Sequence, residues 1–219
     1  MTLLSAPAGS GKTSLLRLWA RHPGRGHRIA FVSVWPDQQD AQQFWLALLN
    51  AIRHACGTTN DTVPPTAAPD LSVRALIDTV RCELADPSGR ITVVIDDLHE
   101  LNAPEALAPL MQLLTDLPPN AQAILATRRD LPLRLHRLRL AGELAEIRPA
   151  DLRFSERETR ELLEASGIAL SGAGVALLHQ RTGGGPRACG SRRSPWPATR
   201  TRSGSSRNSP AATARSPGT

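Results

Sequence analysis

Near its amino terminus the chain reads SAPAGSGKTS (Ser5–Ser14), and no other stretch restricts the fold as tightly. A short apolar run, Thr2–Ser5, precedes it. Leu15, Leu16, Leu18 and Trp19 follow at helical spacing, which predicts a helix over Gly11–Arg21. A glycine-rich turn joining a strand to a helix is the setting in which backbone amides cradle phosphate. Gly9 and Gly11 let the chain curl until successive N–H groups face one centre, and the helix amino terminus adds its positive dipole end. The expected phosphate-binding set is Ala8, Gly9, Ser10, Gly11, Lys12, Thr13 and Ser14. Lys12 would reach the β- and γ-phosphates, and the Thr13 hydroxyl would ligate Mg²⁺. The first glycine of the pattern G-x-x-x-x-G-K-T is Ala6 here, a departure. A chance glycine-rich turn carries the same letters, so the setting decides.

The rest of the chain supplies that setting. RIAFVSV (Arg28–Val34), RITVVIDD (Arg90–Asp97), AQAILATRR (Ala121–Arg129) and ELAEIRP (Glu143–Pro149) read as strands. The run before Asp96 is continuously apolar, as a strand buried on both faces of a parallel sheet must be. Helices are expected over Asp40–Cys56 with Asp40 as cap, Ser72–Leu84, and Pro104–Leu117 with proline in the first turn. Ser155 and Glu158 form a capping box for a helix to Ala165, and another helix follows from Ser171 to Gln180. Strands alternating with helices imply an α/β fold, a parallel sheet flanked by helices. The last two helices have no strand after them and should open a separate helical subdomain.

Net charge is +6, which by itself suggests a polyanionic partner. Its distribution removes that inference. Residues 185–219 hold seven of the 26 basic side chains and no acid, leaving 19 basic against 20 acidic residues in the rest. Three well-separated cysteines, with no CxxC pair, fit a reduced, cytoplasmic protein. No apolar run approaches the ~20 residues of a membrane span.

Two further stretches carry chemistry. Adjacent acids at the end of an apolar strand are costly unless they face a cation or water, so Asp96 is expected to hold Mg²⁺ and Asp97 to activate water. Arg128 and Arg129 end another strand. Successive side chains point to opposite faces, so one of them, Arg128 by preference, is expected to sense the γ-phosphate and stabilise transition-state charge. LPLRLHRLRLAG (Leu131–Gly142) reads as a connector with Leu inward and Arg outward, since no aromatic interrupts it for base stacking. His99 receives no role. Trp19, Trp35, Phe44 and Trp45 are expected in the core.

Taken together, LLSAPAGSGKTSLL, VVIDDLHEL and ILATRRDLPL through ELAEIRPADLRFS resemble the nucleotide-binding domain of STAND ATPases, as found in large LuxR-type transcription regulators related to the maltose-regulon activator. The similarity covers residues 1 to about 184. It implies an AAA-like P-loop NTPase fold, ATP and Mg²⁺ as cofactors, slow ATP hydrolysis and an ATP-driven switch. ATP and ADP would be the ligands, and the full-length family self-associates. Against that family the chain reads as truncated at both ends, without sensor repeats or a DNA-binding domain. The expected organisation is an ATP-binding domain over 1–150, the start of a helical lid over 151–184, and a disordered basic tail over 185–219.

In this family a segment like H-x-R-T-x-G-W closes the lid, and HQRTGG (His179–Gly184) appears on cue before the pattern stops. Read one base out of register, the codons of the tail admit a Leu-rich segment of helical spacing, so the tail resembles a frameshift product. Two alternatives stay open: an inactive truncated gene product, and a non-enzymatic nucleic-acid-binding protein that uses the basic tail.

Overall fold

Among the described residues, five parallel strands form one sheet: β1 (Thr2–Ser5), β2 (His27–Ser33), β3 (Arg90–Asp96), β4 (Ala121–Thr127) and β5 (Ala145–Ile147). Their spatial order is β2-β3-β4-β1-β5. The computed structural model describes residues 1–22, 24, 26–36, 40–57, 72–86, 89–129 and 135–185. The expected disordered tail and its shifted reading frame fall almost wholly on residues 186–219, outside the described residues.

Alternation along the strands divides the sheet into two unequal faces. Leu3, Ala30, Val32, Val93, Ile95, Ala123 and Leu125 point to one face, where they join the principal core. Helices α2 (Ala41–Cys56), α3 (Val73–Ala85) and α4 (Pro104–Thr115) contribute Phe44, Trp45, Leu48, Ile52, Val80, Leu84 and Leu110 to it. Leu4, Val94 and Ala126 point the other way and meet Leu16 of α1 (Lys12–Ala20). Helices therefore flank the sheet on both sides, as expected. β3, enclosed by both layers, is buried from Ile91 to Asp96. Of its two buried polar residues, Thr92 and Asp96, the first is matched by His27 Nε2 at 2.6 Å from its hydroxyl.

Helix boundaries follow local chemistry. The Asp40 carboxylate accepts from the Gln42 amide at 2.9 Å and caps α2, which ends where Gly57 turns left-handed. Ser72 caps α3 through the Ala75 amide at 3.2 Å. Asn120 ties the far end of α3 to the start of β3, donating to Leu84 O at 3.1 Å and Asp86 O at 2.9 Å.

After β5 come α6 (Glu156–Ala165) and α7 (Gly172–Thr182), packed on each other as a hairpin. The capping box at Ser155 is complete: its hydroxyl accepts from the Glu158 amide while Glu158 accepts from the Ser155 amide.

Two expectations need correction. Phe44 and Trp45 are fully buried, but Trp19 is 38% and Trp35 62% exposed. Trp19 lies on the outer side of α1, which has Leu16 as its one buried leucine. The connector reading of Leu131–Gly142 also misses a helix, α5 (His136–Leu140). Leu135 and Leu138 are buried while Leu140 is exposed, a spacing of three that fits a helical turn and not strict alternation. Among the described residues, no helix is long and apolar enough to cross a membrane.

Candidate functional site

Parallel strands bring their carboxyl ends to one edge of the sheet, and ligands of open α/β sheets bind there. β1 and β4 pair so that Ser5 faces Thr127, and the Ala6 amide donates to Thr127 O at 3.2 Å. β3 ends one strand away at Asp96. The sequence places its chemistry-bearing residues just past these ends.

The loop between β1 and α1 bends through two left-handed glycines, Gly9 at φ 82° and Gly11 at φ 83°. Such angles strain any residue with a Cβ, which explains these two letters of the motif. Gly11 is the residue at the amino cap of α1, and no side chain caps that end. The first-turn amides are thus left for a ligand. Lys12 is buried, with its ammonium donating to Ala6 O at 2.6 Å, Pro7 O at 3.0 Å and Ser10 Oγ at 3.4 Å. Burial lowers its pKa, opposed first by the charge of Asp97 and then of Asp96, while Arg128 reinforces the lowering. Lys12, Asp96, Asp97 and Arg128 therefore share one electrostatic neighbourhood. Thr13 is half-buried and Ser14 exposed; Ala8 is exposed and Ser10 half-buried.

Asp96 is 1% exposed, and its carboxylate accepts from the Asp97 amide at 3.0 Å. A buried carboxylate with so little compensation fits a hard divalent cation, which takes oxygen ligands. Among the described residues, no three His, Cys, Asp or Glu side chains gather for a metal. Asp97 sits at φ 53°, the only positive φ outside glycine among the described residues. This twist leaves its side chain partly exposed, with Oδ1 3.4 Å from Arg128 Nε.

The adjacent arginines diverge. Arg128 turns to Asp97, whereas Arg129 donates to His99 O at 3.1 Å and to Asn102 Oδ1 at 3.5 Å. The Thr127 hydroxyl, itself buried, donates to Arg129 O at 2.7 Å and fixes the turn between them.

His99 is the residue that sequence reasoning left out. It lies in a 3-10 turn (Leu98–Glu100) directly after Asp97 and is 8% exposed. Neither ring nitrogen has a hydrogen-bond partner among the described residues, although Glu100 Oε1 lies 3.0 Å from Nε2 and Asp97 Oδ1 lies 3.9 Å from Nδ1. Those contacts are close without hydrogen-bond alignment. Burial lowers the His99 pKa, with the Glu100 charge working against it. The available signal was Leu98 and Leu101, both buried, which pull the turn between them inward.

The chain is similar to several known proteins. Serine/threonine-protein kinase PknK of Mycobacterium tuberculosis is 31% identical over 188 residues, covering 84% of this chain. HTH-type transcriptional regulator MalT of Klebsiella pneumoniae is 27% identical over 168 residues, covering 75%. The chain spans 17% of the length of the first and 18% of the second. Among solved structures, Cdc6p of Pyrobaculum aerophilum superposes with a TM-score of 0.54 at 18% identity, over 86% of this chain and 52% of that one. The ORC1 protein of Aeropyrum pernix, solved in complex with DNA, gives 0.51 at 20% identity, over 86% and 51%. Both show the fold. Residues 1–135 match the family described as AAA domain, more than half of the chain, and the chain belongs to that family.

Proposed function

We propose that the chain is the ATP-binding, weakly ATP-hydrolysing switch module of a LuxR-type transcription regulator. The AAA fold implies nucleotide binding; the choice of ATP, the residue roles and the switch are the proposal. The observation that carries it is the buried Lys12 at the uncapped, glycine-bent start of α1, within the field of Asp96, Asp97 and Arg128. Similarity to MalT supports the regulatory setting.

In this reading residues 8–14 bind the phosphates, with Lys12 exchanging its loop carbonyls for β- and γ-oxygens. Thr13 and Asp96 would hold Mg²⁺, which when bound supplies charge neutralisation at those oxygens. Asp97 orients a water and accepts its proton. Arg128, released from Asp97, turns to the γ-phosphate and stabilises the charge that develops there. Residues 1–150 form the ATP-binding domain, and α6–α7 begin the helical lid. Turnover is slow where water is poorly excluded.

Calorimetric titration tests this. Lys12→Ala should weaken ATP binding at least tenfold, about 1.4 kcal/mol, and equal affinity for both proteins would overturn the assignment.

A further inference from the structure

The base of the α6–α7 hairpin closes through a single residue outside the phosphate site, Phe154. Its amide donates to Gly184 O at 2.9 Å, and its carbonyl oxygen lies 2.7 Å from His179 Nε2. A carbonyl only accepts, so Nε2 carries the hydrogen. The Gly184 amide returns to His179 O at 3.2 Å, completing a closed set of three bonds. Gly184 is buried, at φ 71°, and a Cβ there would stand 2.5 Å from Phe154 O and 3.1 Å from His179 Nε2. Its neighbour Gly183, at φ 58°, has open space where a Cβ would go. The first glycine serves only the helix end, while the second also lets the two chains touch.

Packing alone holds this hairpin weakly. Thr159, Leu163 and Val175 are its buried helix residues, while Ile168, Leu170 and Leu177 remain exposed. So few buried side chains offset only part of the entropy lost when two helices are ordered. Specific bonds at the base decide whether the helices move as one body.

We infer that His179 is a positioning residue: with Gly184 it clamps the end of α7 to the segment entering α6, so the hairpin turns as a rigid lid over the nucleotide. The lid role rests on the function proposed above; the clamp itself does not. Hydrogen exchange on the full chain reads the clamp. His179→Ala should speed exchange of the Phe154 amide and of α6–α7 at least tenfold, leaving β1, β3 and β4 unchanged. His179→Gln, whose amide nitrogen can occupy the place of Nε2, should restore it. Gly184→Ala should loosen the hairpin far more than Gly183→Ala, since both pay the same backbone strain and only one collides.

Release of a fluorescent ADP analogue reads the positioning role. It should quicken at least tenfold in His179→Ala and recover in His179→Gln. Unchanged exchange at Phe154 in His179→Ala would overturn the clamp. Faster exchange with unchanged ADP release would overturn the positioning role. If the wild-type chain fails to bind the analogue, the nucleotide reading fails instead, and the exchange arm still decides the clamp.

Discussion

Asp97 occupies backbone space that side chains other than Asn, Asp and Gly rarely visit. Its letter is therefore constrained twice, by conformation and by charge. Asp97→Asn keeps the left-handed tolerance and removes the charge, so thermal stability should hold while hydrolysis falls more than ATP binding. Asp97→Ala adds strain of about 1 kcal/mol and should lower the melting temperature as well; equal melting of the two variants would refute the strain argument. His99 contributes a pH dependence whose sign follows from burial. Its folded pKa is lowered, so between that value and the ordinary 6.5 the unfolded chain binds more protons, and stability rises with pH. Melting temperature should fall as pH drops below about 6.5, and less so in His99→Gln. The two acids were legible in the sequence because charge after an apolar strand demands an explanation. His99 was not, because a polar letter in a short turn reads as surface, and only the packing of Leu98 and Leu101 against the core buries it.

Elements were the most legible level wherever a cap or a strict period marked them. The capping box at Ser155 is present in both directions, with Glu158 Oε2 2.7 Å from the Ser155 amide. Ser155→Ala should cost about 1 kcal/mol of helix stability, read as faster exchange confined to the first turns of α6; uniform loosening of the sheet would contradict this. Hydrogen bonding also holds the Glu158 carboxyl below its usual pKa, from the Ser155 backbone first and its hydroxyl second. The cap should therefore weaken as pH falls through that lowered value. α5 escaped notice because a run as short as HRLRL (His136–Leu140) is compatible with both periods, and the choice between them is made by what the leucines meet. Trp19 and Trp35 were misplaced for a related reason: aromatic letters signal apolar area but not which side of a helix or strand end carries them.

At the scale of the whole molecule the sheet is lopsided. Leu48 of α2 is fully buried in the principal core, so Leu48→Ala should cost about 2–5 kcal/mol and destabilise the chain as a unit. A denaturation midpoint unmoved by that substitution would mean the principal core is not the cooperative one. Fold class could be read from alternating strands and helices, but strand order could not, since no local letter says which strands become neighbours. That order has a consequence for biosynthesis. β1 is made first, yet both its partners, β4 and β5, come last, after more than a hundred further residues. At ~5–20 residues per second the nascent strand waits on the order of ten seconds for a neighbour. The phosphate loop therefore leaves the ribosome before β4 or β5 exists to pair with β1, and a chain stalled before Ala121 presents Thr2–Ser5 to the chaperones of the cell as an unpaired apolar strand.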